Sequence, residues 1–166
     1  DLYVAAGGTG SRDGSDWDNA LASISDALAA AGIGTRIHVA AGHYTNGLER
    51  FPLTVTATTD LQILGTNAAA TRVNAEGSSA RVLTISSSAR VTLEGLTLCG
   101  GRLSGSVYGG GLWIGDSPAV TLNDCVINSN LVEGGVNSWK CGGGLYVQNS
   151  EVTIRRCWIS GNTARL

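Results

Sequence analysis

Near its end the chain says almost the same thing twice. GGGLYVQNSEVTIRRCWISGN, from Gly142 to Asn162, restates GGGLWIGDSPAVTLNDCVINSN, from Gly109 to Asn130. A third, weaker copy precedes them. Val82-Leu83-Thr84-Ile85 is followed after five residues by Val91-Thr92-Leu93. Gly111-Leu112-Trp113-Ile114 is followed after five by Val120-Thr121-Leu122, and Gly144-Leu145-Tyr146-Val147 after four by Val152-Thr153-Ile154. The steps are 29 and about 32 residues. After each Val-Thr-Leu/Ile come two polar or Gly residues, then Leu96, Cys125 or Cys157, and two further on Leu98, Ile127 or Ile159. Repeats of this length are stacked units, because none can bury its own apolar side chains. Each unit holds only short period-two strands, so equivalent strands pair in parallel at about 4.8 Å per step.

Alternation then sorts the side chains. Leu83, Ile85, Val91, Leu93, Leu96 and Leu98 face inward with their equivalents, while Thr84, Trp113, Tyr146, Thr92, Thr121 and Thr153 face outward. Further strands are expected at Leu53–Thr56, Leu61–Leu64 and Thr71–Asn74. The expected fold is an all-β, right-handed, single-stranded parallel β-helix of about four to five coils. A β-sandwich would want hairpin turn pairs, and the lone Asn46-Gly47 follows no alternating strand.

The first 45 residues differ. A strand, Leu2 to Ala5, leads into a turn-rich Asp/Gly/Ser segment. Leu21, Ile24, Ala27, Leu28 and Ala31 then recur at helical spacing, predicting a capping helix over 18–31. Asp16 or Asp18 is expected to cap its start and Gly32 or Gly34 to end it. The chain of 166 residues fits one domain, with cap 1–45 and coils 46–166. Nothing amphipathic follows Ile159, so it reads as the N-terminal part of a longer protein or as a C-terminal coil that assembles with another copy. The formal net charge is -2 and no apolar run approaches a membrane span, so nucleic acid and a transmembrane segment are not expected. A chain opening on Asp1 looks processed or excised.

The motifs Gly110-Gly111-Leu112 and Gly143-Gly144-Leu145, with Ile127-x-x-Asn130 and Ile159-x-x-Asn162, resemble those of polymorphic outer-membrane, autotransporter-like β-helix proteins of bacteria. There the second motif carries Phe where this chain has Ile. The opening segment DLYVAAGGTGSRDGSDWDNALASISDAL is similar to that of many secreted β-helix proteins, including polysaccharide-acting enzymes, in which a helix plugs the end of the coil. The resemblance implies fold and a secreted or cell-surface setting. It does not imply one activity, since β-helices host lyases, hydrolases, adhesins and phage spikes.

Asn130 and Asn162 occupy one turn position on successive coils, where they are expected to form a hydrogen-bonded ladder and adopt left-handed backbone. The Gly pairs are expected to make the turn. Cys125 and Cys157 share an inward position, which suits stacked thiols better than a disulfide; a bond between Cys99 and Cys141 stays open. With no CxxC pair, a zinc site is not expected. The Asp13, Asp16, Asp18 cluster departs from a calcium-loop pattern, so no cofactor is expected and calcium has no support.

Trp113 and Tyr146 are outward neighbours. The inserts before their strands carry Tyr108, Trp139, Arg102, Glu133 and Lys140. Exposed aromatics beside adaptable polar groups suit sugar rings or a partner's surface; alternatively the inserts fold back and use these rings as a small core. Catalysis would need paired outward carboxylates or a base beside them. Asp124 and Arg156, one coil apart, read as a surface ion pair, and His38 and His43 have no predictable partner. The expected function is carbohydrate or partner binding through Trp113, Tyr146, Tyr108, Trp139, Arg102 and Lys140. A polysaccharide lyase or hydrolase, and a purely structural module, stay open.

Overall fold

The computed structural model describes residues 1–56, 60–87, 90–105, 107–134 and 140–165. The chain begins with β1 (Leu2–Val4) and one helix, α1 (Ile24–Ala30). The first coil is β2 (Arg36–Val39), β3 (Gly42–Thr45) and β4 (Leu53–Thr56); the second is β5 (Leu61–Gly65), β6 (Thr71–Asn74) and β7 (Leu83–Ser86). The third coil gains two insert strands: β8 (Val91–Glu94), β9 (Thr97–Cys99), β10 (Arg102–Ser104), β11 (Val107–Tyr108) and β12 (Leu112–Gly115). The fourth repeats them: β13 (Val120–Asn123), β14 (Val126–Asn128), β15 (Leu131–Glu133), β16 (Lys140–Cys141) and β17 (Leu145–Gln148). Then come β18 (Val152–Arg155), β19 (Trp158–Ser160) and β20 (Thr163–Arg165).

Every pairing is parallel and joins one coil to the next. Three walls result, β1-β2-β5-β8-β13-β18, β3-β6-β9-β14-β19 and β4-β7-β12-β17, with smaller insert sheets β10-β15-β20 and β11-β16. The four-stranded wall marks four circuits of a parallel β-helix, and crossovers between parallel strands of one sheet take the right-handed sense. The registers are those of the repeat: Leu83↔Leu112↔Leu145 and Val91↔Val120↔Val152. The six predicted inward residues of the third copy, from Leu83 to Leu98, are all buried. Each such side chain contributes about 1.5–3 kcal/mol when removed from water, so the bore is the main favourable term.

Three corners recur from coil to coil in the repeated part of the chain, each with one residue in the left-handed region. These are Gly95, Asp124 and Arg156 at the first corner, Gly100, Ser129 and Gly161 at the second, and Ser87, Asp116 and Asn149 at the third. This corrects the ladder expectation in one respect. Asn130 and Asn162 are not left-handed; the residue just before each is, with φ 55° at Ser129 and 62° at Gly161. Freed from making the turn, the asparagines point inward. Asn130 Nδ2 donates to Leu98 O at 3.1 Å and to Asn162 Oδ1 at 2.9 Å, and its Oδ1 accepts the Gly101 N–H at 2.9 Å. Asn162 Nδ2 donates to Ile127 O at 2.8 Å.

The Gly pairs are likewise not turn-makers. The left-handed residues are Gly109 and Gly142, one position earlier. A Cβ on Gly111 would lie 2.6 Å from Asn130 Nδ2, and one on Gly144 2.6 Å from Asn162 Nδ2. Real Cβ contacts are never that short. The two motifs are thus one device: glycine leaves the space the asparagine amide fills.

The helix is shorter than predicted and starts later. Residues 18–23 do not join it, because the outer edge of β1 needs a partner. Leu21 supplies it: its N–H donates to Tyr3 O at 2.8 Å and its carbonyl accepts from Ala5 at 3.0 Å. Satisfying exposed strand groups outweighs the extra turns of helix. The N-cap is therefore Ser23, whose side chain accepts the Asp26 N–H, and not Asp16 or Asp18. Asp16 instead accepts the Asn19 N–H at 2.9 Å, and Asp13 forms an Asx turn with Ser15. Hydrogen bonds from Ser15 and Ser11 hold the Asp13 carboxyl down at about 2. The helix ends at Ala31, which is extended.

Glu49 does what no local residue does. It is 4 % exposed, and its carboxylate accepts Ile24 N–H at 2.7 Å, Ser25 N–H at 2.8 Å and Ser25 Oγ–H at 2.6 Å. A carboxylate on the first free amides of a helix is favoured by hydrogen bonding and by the helix dipole. Next to it, Arg50 donates to Asp26 Oδ1 at 2.9 Å.

We expect Asn130→Ala to lower the unfolding free energy by about 3 kcal/mol in urea titrations, since it orphans Leu98 O and Gly101 N–H. Gly111→Ala should cost a similar amount through the same contact, whereas Asn162→Ala, at a half-buried site, should cost about 1 kcal/mol. Equal losses at Asn130 and Asn162 would contradict this account.

Candidate functional site

Trp113 and Tyr146 share one outward column of the four-stranded wall with Thr54 and Thr84. The insert strands reach this column. Gly109 and Gly142, at φ 68° and 63°, turn the chain from β11 and β16 back toward β12 and β17. Consequently the Tyr108 ring stacks on Tyr146, with centroids 4.7 Å apart and planes inclined by 19°. Arg81, at the foot of β7, sits 5.7 Å above the Trp113 ring, a cation–π arrangement. Burial pulls the Arg81 guanidinium below its ordinary value. Trp113 also lies over Gly115, where a side chain would collide with its ring. Both Trp113 and Tyr146 are half-buried.

The aromatics thus form a supported platform. Each has one face or edge held by a neighbour. Trp139 lies outside the described residues, and only the backbone of Lys140 is described, paired with Val107. Arg102 is brought to a different place. It heads β10, where its guanidinium grips Glu133 of β15, with Nε to Oε1 at 2.9 Å. Arg165 of β20 holds the other oxygen at 3.3 Å. The Arg102 bond, then Arg165, holds the Glu133 carboxyl below the usual carboxylate range.

The Asp124–Arg156 pair forms as expected, bidentate at 2.7 Å for both bonds. It links two left-handed corner residues, Asp124 and Arg156, on successive coils. His38 finds a partner the sequence did not reveal: Asp1 Oδ1 lies 3.0 Å from Nε2, and the ring stacks on Tyr3 at 5.0 Å. Among the described residues no three His, Cys, Asp or Glu side chains are grouped to hold a metal ion. No helix among them is long and apolar enough to cross a membrane.

All four cysteines are free thiols. Cys99 ends β9 and Cys141 ends β16, on different sheets, so the bond left open between them is not made. Cys125 and Cys157 stack as expected, the Cys125 N–H donating to Cys157 Sγ at 3.4 Å. Burial pushes the Cys125 thiol up to about 12. Arg81 and Arg165 were missed by sequence reasoning. Arg165 is the register partner of Glu133, in the column that begins at Ser104, but its strand follows the last full repeat.

A protein-family model described as "Protein of unknown function (DUF1565)" matches residues 6–166. No curated protein matches the chain.

Thiol titration checks the cysteine assignment. Cys141, the exposed one, should react with Ellman's reagent first and Cys157 more slowly, while Cys99 and Cys125 should react only on unfolding. Two fast thiols lost together on mild oxidation would show a bond the structure does not contain.

Proposed function

This chain belongs to the DUF1565 family, a description that carries no activity, and we propose that it is a β-helical binding module acting outside the cell, with carbohydrate as its ligand. The observation that carries the proposal is the Trp113, Tyr146 and Tyr108 platform. Coils that exist only to stack need no aromatics outside, and the rest of this column is threonine. The platform stands where the insert strands meet the wall, the part of the repeat that differs between copies. Sugar C–H faces stack on such rings, and prior support of the rings lowers the entropy lost on binding. The extracellular setting rests on the resemblance of the repeats to surface and secreted β-helices.

A second reading, self-association, has one observation in its favour. Ile154 and Ile159 occupy bore positions yet are each 44 % exposed, beside Trp158 at 68 %. Sedimentation velocity showing dimers that Ile159→Asp abolishes would support it.

For the main reading we expect Trp113→Ala and Tyr146→Ala each to weaken binding to a glycan found by array screening by about tenfold, with thermal midpoints little changed. A blank array, or affinity indifferent to both substitutions, would sink it.

A further inference from the structure

The coils are not of equal length. The second turns from β6 to β7 directly through residues 75–82, while the third makes the same passage through β10 and β11. The longer coil therefore stands proud of the shorter one. The step is pinned at both sides, by Ala75 N–H to Cys99 O at 3.0 Å and Arg102 N–H to Ala80 O at 2.9 Å. Within it lies a groove of about 620 Å³. Arg72, Asn74 and Glu76 of the second coil form one bank; Cys99 and Gly100 form the floor, and Ser129 and Leu131 the other bank.

Two arginines line the groove, and one of them, Arg102, is committed to Glu133. Arg72, half-buried beside the groove, makes no ion pair among the described residues. Among the described residues its guanidinium donates only to the Cys99 thiol, at 3.6 Å, and sulfur is a weak acceptor. Glu76, on the same bank, is equally without an ion pair. Both lie close enough to act on Cys99: burial pushes that thiol up, Arg72 pulls it down and Glu76 adds to the rise. A half-buried guanidinium and an exposed carboxylate thus line one space without forming an ion pair with each other. Gly100, at φ 72°, keeps the floor bare, since a side chain there would collide with Asn74.

We propose that this groove binds a sugar carrying a carboxylate, a uronate unit, with Arg72 as its specificity-determining residue. A guanidinium fork takes a carboxylate through two parallel bonds. Glu76 and the Ser129 hydroxyl accept from ring hydroxyls, and the Asn74 amide donates to them. The volume lies within the range of small-ligand sites. A peptide fits less well, because β6, β9 and β14 are paired on both sides and offer no edge for strand addition. The site is separate from the aromatic platform and stands on its own residues.

Isothermal titration of the whole chain with digalacturonate, and with neutral digalactose as control, tests it. Digalacturonate should bind and digalactose should not. Arg72→Gln should weaken binding about tenfold, Arg72→Lys by less, and Trp113→Ala not at all. Far-UV circular dichroism of Arg72→Gln should match the parent, and should it not, Arg72→Lys alone decides. No heat with digalacturonate, equal binding of both sugars, or undiminished affinity without the guanidinium would overturn the proposal. Loss at Trp113→Ala but not at Arg72→Gln would return the ligand to the platform.

Discussion

The strands of each coil take their ladder hydrogen bonds from the coils on either side. That single constraint governs the rest. A coil can exist only in register with its neighbour, so each side chain sits in a column of equivalents about 4.8 Å apart. Columns amplify small choices. One inward asparagine becomes a ladder, one left-handed corner becomes a row of three, and one glycine becomes the gap through which the ladder passes. Inward apolar columns supply most of the favourable energy. The asparagine and glycine columns fix which residue sits over which.

Period-two alternation in the sequence exposed the walls because burial follows it directly. Leu83, Ile85, Val91 and Leu93 are inward for the reason that they alternate with Thr84 and Thr92. What stayed hidden depends on residues far apart along the chain. The start of α1 was misplaced since Leu21, though helical in spacing, is needed beside β1. The cap comes from Glu49, and no local motif announces it. The Gly-Gly and Ile-x-x-Asn motifs were both visible, but their contact was not, because it joins different walls. The left-handed position was off by one residue, as Ser129 carries no sequence mark that would distinguish it from Asn130.

The surface divides along the same line. Some charges neutralise one another across coils, as Asp124 does with Arg156 at a corner and Glu133 with two arginines on the insert strands. Where coil length changes, other groups meet open space. The insert strands bring Tyr108 onto Tyr146, and the change in coil length leaves Arg72 and Glu76 facing open space. Irregularity in a solenoid carries information, because a groove or platform needs coils that differ from their neighbours.

Glu49 adds a consequence in time. With seven residues, α1 is too short to persist alone in water. The groups that satisfy its first amides arrive about 25 residues later in the chain. On a ribosome, the opening segment therefore emerges without its lock and waits for the first coil to close behind it. The plug that shields the bore is made first and set later, so growth of the coils and sealing of their start are one coupled event.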